Sequence, residues 1–148
     1  MSKIEMPEPP IGYLMARTHL TLKKQLNKAL ADAGHDVRVE QMGLMYFLWQ
    51  QDGISQREIV NQVKKVKSSI TRLIDNMEKQ NLVVRIPDQT DKRNKLIFLT
   101  HKGKALQKQL SVVLNNKLEQ AYQNIEKEHI QICKNVLNDM FNNLDNIE

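Results

Sequence analysis

The sequence has 148 residues, which suits one domain of ordinary size, and a modest net charge of +5. A single cysteine and four scattered histidines exclude a disulfide framework and a cysteine-rich zinc site, so no metal and no cofactor are expected. The chain has no apolar run of eighteen or more residues and no signal-peptide pattern, which predicts a cytoplasmic protein that does not enter a membrane.

The first third of the chain predicts two helices. An apolar stripe ended by Gly34 predicts the first helix, over residues 11–33. The second helix is expected from Val39 to Gln50, where apolar residues again recur at helical spacing. Because Arg38 is a poor cap residue, we expect Asp36 to cap this helix.

Two further helices are expected in the middle of the chain. Ser55 and Glu58 form a capping box, in which each side chain bonds the backbone amide of the other residue, so a short helix should cover residues 56–63. Lys67 to Gln80 predicts a longer helix with one apolar face that packs and one polar face that is presented outward. The polar face holds Lys67, Ser68, Thr71, Arg72, Asp75 and Lys79.

A β-hairpin is predicted after these helices. Residues 82–86 and 96–99 are apolar and β-prone, and they flank the charged tip 88–94. Pro87 closes the first strand at a point where a central strand would not tolerate proline. A long charged tip contributes little to a core, but it carries positive charge away from one.

Two closing helices are expected, one from His101 with Thr100 as its N-cap and one from about Lys127. They offer more apolar surface than one small core can cover. Burial against a second copy of the chain is the simplest remedy, so a homodimer is expected. Cys133 lies on the apolar stripe of the last helix, which favours packing over a redox role.

The positive charge is concentrated in the middle of the chain. Residues 64–104 hold eleven Lys and Arg against four Asp and Glu, a balance of +7, whereas the remainder holds eleven against thirteen, a balance of −2. Such a concentration is typical of nucleic-acid binding, because each cation placed on a phosphate releases a condensed counterion. The alternative is a basic surface that only keeps the protein soluble.

The order of helix, short capped helix, turn, helix and hairpin predicts a winged helix-turn-helix, in a fold that is mainly α with a small β-hairpin wing. The helix at 67–80 would enter the major groove, and the hairpin would be the wing. At the tip, Arg93 would reach the DNA backbone or minor groove, unless it forms a salt bridge with Asp88 or Asp91. Asp75 is expected to orient Arg72 or Lys79.

Three stretches resemble the MarR (multiple antibiotic resistance regulator) family of bacterial transcription factors: "SQREIV" at 55–60, "SSITRLIDNMEKQNLVVR" at 68–85 and "DQTDKRNKLIFLT" at 88–100. The resemblance implies one domain over 1–148, with a DNA-binding lobe at 37–100 and dimerisation helices at 11–33 and 101–147. It also implies a homodimer on a pseudo-palindromic operator, more often a repressor, which a small-molecule effector releases.

Two sets of site residues follow. Charge, helical periodicity and the resemblance together predict DNA contacts for Lys65, Lys67, Ser68, Ser69, Thr71, Arg72, Lys92, Arg93 and Lys95. The resemblance also suggests a pocket for a small aromatic or phenolic effector, lined by Tyr13, Arg17, His19, Met42, Tyr46 and Trp49. Met and aromatic residues at helical spacing are more often plain core residues.

Two other functions remain open. One is an architectural or counter-silencing DNA-binding protein that needs no ligand and has little sequence preference. The other is a helical dimer that acts through protein partners and binds no DNA. An enzyme is not expected, because the sequence contains no nucleophile and base pair, glycine-rich phosphate loop or carboxylate constellation at a catalytic spacing.

Overall fold

The computed structural model describes residues 7–63 and 67–147. Within these residues the chain folds into helices and a small antiparallel sheet, as the winged helix-turn-helix prediction requires. The elements are α1 (Ile11–Asp32), α2 (Val39–Gln50), β1 (Ile54–Ser55), α3 (Gln56–Val63), α4 (Lys67–Lys79), β2 (Val83–Pro87), β3 (Lys95–Leu99), α5 (His101–Ala105), α6 (Gln107–Ala121) and α7 (Lys127–Asp145).

The start of α2 differs from the prediction. Asp36 does not cap it; instead the side-chain oxygen of Gln41 accepts a hydrogen bond from the Arg38 amide at 3.0 Å. Asn27 on α1 supplies a second acceptor, 2.8 Å from the Val39 amide. A helix start needs oxygen acceptors for its free amides, and here a neighbouring helix contributes one of them. Sequence spacing alone does not reveal that neighbour.

Local signals fix both ends of the helix pair α3 and α4. The predicted capping box is present, with the Glu58 amide 3.1 Å from the Ser55 hydroxyl and the Ser55 amide 3.3 Å from the Glu58 carboxylate. Asn81 ends α4 with φ of +59°, and the next amide, that of Leu82, donates to the Met77 carbonyl at 2.9 Å. Asparagine tolerates this left-handed conformation better than most residues, so α4 stops there.

The sheet has three strands in the order β1, β3, β2. In the hairpin Val83 pairs with Leu99 and Pro87 with Lys95, so Pro87 ends β2 where the tip loop begins. β1 was not predicted; it pairs Ile54 with Ile97 on the far side of β3. We call β2, β3 and their connecting loop, 88–94, the wing.

The hydrophobic core lies between the helices and the inner face of the sheet. It is mainly aliphatic and includes Met45 from α2, Ile59 from α3, Ile74 from α4 and Ile97 from β3. These side chains are fully buried. The core therefore holds α4 and the wing in a fixed position relative to each other.

The chain divides into two compact units, one ending at Leu114 and the other beginning at Asn115. In the first unit the predicted N-cap of α5 is confirmed, because the Thr100 hydroxyl accepts from the Gly103 amide at 3.0 Å. The helix expected from His101 is divided at Leu106 into α5 and α6. In the second unit, α7 has no buried residue. Among the described residues, no helix is both long and apolar enough to span a bilayer.

Candidate DNA-binding surface

The outward face of α4 carries the predicted groove-facing residues. One open depression is lined by Lys67, Ser68, Thr71, Arg72 and Asp75. The Thr71 hydroxyl is already engaged, since it accepts from Gln56 at 2.7 Å and donates to the Lys67 carbonyl at 3.0 Å. Thr71 therefore ties α4 to α3, while the exposed Lys67 and Arg72 remain available for an external partner.

The two acidic residues of the wing tip are used inside the tip. Asp88 accepts hydrogen bonds from the amide and hydroxyl of Thr90 at 3.0 and 2.9 Å, and these bonds hold the pKa of its carboxyl below its ordinary value. Asp91 accepts from the backbone amide of Arg93 at 3.1 Å. Within residues 7–63 and 67–147, the Arg93 side chain forms no ion pair. The carboxylates thus shape the turn and leave the guanidinium exposed.

Arg85 on β2 neutralises the acidic residues of α4. Its guanidinium lies 2.7 Å from Asp75, also pairs with Glu78, and donates to the Thr71 carbonyl at 3.2 Å. The expectation that Asp75 orients Arg72 or Lys79 is therefore wrong. Asp75 pairs with Arg85 of β2 and not with a cation of its own helix. Because Arg85 is only 18% exposed, it fastens the wing to α4 and compensates two negative charges that would repel DNA.

A second recess brings residues of the wing and α4 together with α3. We call it the basic cleft; it is lined by Gln56, Arg57, Val60, Lys67, Arg93, Asn94 and Lys95. Lys67, Arg93 and Lys95 were predicted as DNA contacts, whereas Gln56 and Arg57 were not. The sequence showed Arg57 only as a residue inside a capping box, so nothing in the local pattern placed it beside the wing.

The other predicted DNA contacts lie apart from these two recesses. Ser69 and Lys92 are exposed but line neither the depression on α4 nor the basic cleft. Lys65 lies outside the described residues, as do the neighbouring positions 64 and 66.

The residues suggested for an effector pocket are dispersed. Met42 is buried in the core, and the Trp49 indole donates to the Gly103 carbonyl at 3.1 Å. Tyr13 and Tyr46 are more than half exposed, and Arg17 lies over the Tyr13 ring at 5.7 Å. Of the six suggested residues, His19 alone lines the cavity described next.

This apolar cavity, of about 260 Å³, lies beside α1, α2, α3 and α4 and is lined by His19, Lys23, Val39, Glu40, Gly43, Leu44, Phe47, Val63, Ile70 and Leu73. Burial raises the pKa of the Glu40 carboxyl, but the Lys23 ammonium at 2.5 Å and the charge of Arg38 outweigh it, so the pKa lies below its ordinary value. The second carboxylate oxygen, Oε2, is buried and accepts no hydrogen bond from the described residues. No cluster of three metal-ligating side chains occurs in those residues.

Comparisons with known proteins agree with this arrangement. The family model for the MarR family matches residues 38–95, which contain α2, α3, α4 and most of the wing. The HTH-type transcriptional regulator TtmR of Methylorubrum extorquens (strain PA1) is 32% identical over 74 residues, which make up 50% of this chain. The match covers only 38% of that longer protein.

Two solved structures share the fold over nearly the whole chain. CouR from Rhodococcus jostii RHA1, bound to p-coumaroyl-CoA, superposes with a TM-score of 0.79 at 25% identity, covering 92% of this chain and 94% of CouR. MepR of S. aureus in complex with DNA superposes with a TM-score of 0.82 at 24% identity, covering 93% of this chain and 99% of MepR, a likeness of fold. Residues 38–95 thus match the MarR family of transcriptional regulators, and the whole chain resembles solved MarR-type regulators in fold.

Proposed function

We propose that this protein is a homodimeric repressor that binds a pseudo-palindromic site on duplex DNA through α4 and the wing. The observation that carries the proposal is the charge arrangement. The acidic residues of α4 and the wing tip are occupied by Arg85 and by backbone amides, whereas Arg72, Arg93 and Lys95 form no ion pair in the described chain. Such unpaired cations beside a helix that fits the major groove favour phosphate contacts.

The homodimer is supported by the second compact unit. An apolar stripe runs along α7, and its large side chains are between 39% and 66% exposed: Val136, Leu137, Phe141 and Leu144. A 19-residue amphipathic helix with no buried side chain gains little from folding alone, because helices derive most of their stability from packing. A second copy with the same stripe is the partner that C2 symmetry supplies.

An effector is proposed for the apolar cavity. A small aromatic molecule with a phenolic hydroxyl would pack against Leu44, Phe47 and Leu73 and donate a hydrogen bond to the Glu40 Oε2 atom, whose partner among the described residues is the Arg38 Nε at 3.8 Å. Such a ligand would release DNA only if it bound the DNA-free conformation more tightly. The relative CouR, solved with p-coumaroyl-CoA, supports an effector in this family.

The effector proposal predicts that filling the cavity abolishes the response. In Gly43→Leu the new Cβ meets no atom within 4 Å, so the variant should fold and bind DNA while its side chain occupies the cavity. Simple phenols, with benzoate for comparison, are titrated against the protein and its DNA complex. We expect phenols to weaken DNA binding of the unmodified chain and not of Gly43→Leu. An equal response in both proteins would exclude this cavity as the effector site.

The DNA-binding proposal is tested by selecting bound sequences from a random duplex pool and measuring affinity against KCl concentration. We expect the selected site to bind about a thousandfold more tightly than random DNA. Arg93→Ala should weaken binding several-fold and flatten the salt dependence by about 0.9 logarithmic units for each phosphate that the arginine neutralises.

Lys108→Ala is the matched control, because Lys108 is exposed and lies outside both the α4 depression and the basic cleft. It removes the same charge and should leave affinity and salt dependence unchanged. A specificity ratio near one would favour the architectural function instead. If the protein binds no duplex even at low salt, the helical dimer acting through protein partners is favoured.

A further inference from the structure

The basic cleft is formed by three separate parts of the chain. The start of α3 contributes Gln56 and Arg57, and α4 contributes its first residue, Lys67. The wing contributes the three consecutive residues Arg93 to Lys95. Its volume is about 270 Å³. A phosphate group with part of its hydration shell fits into this space.

The cleft carries uncompensated positive charge. Four of its seven lining residues are cations, namely Arg57, Lys67, Arg93 and Lys95, and none is acidic. The nearest acidic neighbours in sequence are engaged elsewhere, since Glu58 accepts from the Ser55 amide and Asp91 from the Arg93 amide. Like charges that share a recess repel one another, so an anion in the recess is strongly favoured.

The wall between α3 and α4 is held by side-chain hydrogen bonds. Gln56 donates to the Thr71 hydroxyl at 2.7 Å, and Thr71 donates to the Lys67 carbonyl at 3.0 Å. This chain of bonds links the first residue of α3 to the first residue of α4. Arg57 on α3 and Lys67 on α4 are therefore carried by two helices whose spacing is fixed. A fixed spacing lowers the entropy cost of binding an anion between them.

We propose that the basic cleft holds a DNA backbone phosphate and that Arg57 is a phosphate ligand contributed by α3. The inference rests on the proposed DNA-binding function. DNA is favoured over a free anion because Lys67 lines both the cleft and the depression on α4, so one duplex can occupy both. The planar guanidinium of Arg57 can contact two phosphate oxygens at once.

The test compares Arg57→Ala and Arg57→Lys with the unmodified protein on the selected duplex. Because Arg57 is exposed, both variants should keep the melting temperature of the parent. We expect Arg57→Ala to weaken binding about fivefold or more and to flatten the salt dependence by about 0.9 logarithmic units for each phosphate that the arginine neutralises. Arg57→Lys should restore the salt dependence and only part of the affinity, since it keeps the charge without the planar fork.

A phosphate contact carries no sequence information, so the base preference of Arg57→Ala should equal that of the parent. If affinity and salt dependence are unchanged in Arg57→Ala while Arg93→Ala binds weakly, the cleft inference is wrong and the proposed function stands. If the unmodified protein binds no duplex, the proposed function itself is wrong. If Arg57→Ala abolishes saturable binding of inorganic phosphate at fixed ionic strength but leaves the DNA affinity unchanged, the cleft binds a free anion and not a DNA phosphate.

Discussion

Leu137→Asp is expected to convert the proposed dimer into monomers and to abolish DNA binding. Leu137 lies in the middle of the apolar stripe of α7, and C2 symmetry places each substitution in the interface twice. Burying an unpaired carboxylate costs several kcal/mol, so two copies should weaken dimerisation by at least ~4 kcal/mol, about a thousandfold. Sedimentation velocity over a range of protein concentrations measures the change.

DNA binding should fall with the dimer, because one lobe alone loses the gain in effective concentration that a second lobe provides. Asn142→Asp is the control, since it adds the same charge to α7 about 180° away from the centre of the stripe. It should leave the dimer intact. An unmodified protein that sediments as a monomer at every concentration would refute the homodimer, and a dimeric Leu137→Asp would place the interface elsewhere.

Gly103→Ala is expected to destabilise the fold more than any other single methyl group added to a glycine of the described chain. An added Cβ at this buried position would lie 2.3 Å from the Leu82 carbonyl oxygen and 3.0 Å from the Leu99 side chain. That carbonyl also accepts from the Thr100 amide, so moving it breaks the junction between β2 and α5. The cost should be about 3 kcal/mol, or roughly 6–12 °C in Tm.

Gly43→Ala is the matched control for this substitution. Gly43 lies inside α2, and an added Cβ there meets no atom within 4 Å. Alanine is favoured over glycine in a helix interior by up to about 1 kcal/mol, so Tm should rise by a few degrees. Thermal unfolding followed by circular dichroism compares the two variants. Equal Tm values for Gly103→Ala and the parent would mean that α5 does not approach β2 this closely.

The sequence predicted those parts of the fold that depend on neighbours along the chain. The capping box of Ser55 and Glu58, the Thr100 cap and the polar tip of the hairpin are local signals, and the structure confirms each of them. The bounds of α2 and α3 were correct for the same reason. Helical periodicity and capping chemistry involve residues three or four positions apart, so one sequence suffices to recognise them.

Contacts between distant segments were not predictable in this way. β1 has only two residues and exists because β3 offers a free edge beside it. Arg85 pairs with Asp75 across ten positions, and nothing in the sequence distinguishes it from the cations that remain unpaired. Asn27 satisfies an amide of α2 from another helix. Each of these contacts is decided by the tertiary packing of elements.

The exposed face of α4 was predicted better than the lining of a cavity for a related reason. Charge and exposure of a helical face can be read from periodicity, so Lys67, Ser68, Thr71 and Arg72 were placed on one surface before the fold was known. A pocket requires knowledge of which helices meet. The cavity found here shares only His19 with the predicted set. The position of Arg57 in the basic cleft was not predicted, because it depends on the wing.

The hydrogen bond between Trp49 and the Gly103 carbonyl has a practical consequence. The chain contains one tryptophan, so its tryptophan fluorescence arises from a single half-buried indole that joins α2 to α5. Any rearrangement that separates these helices would expose the indole to water and shift its emission to longer wavelength. The protein thus carries its own optical sensor of that junction, and no dye needs to be attached.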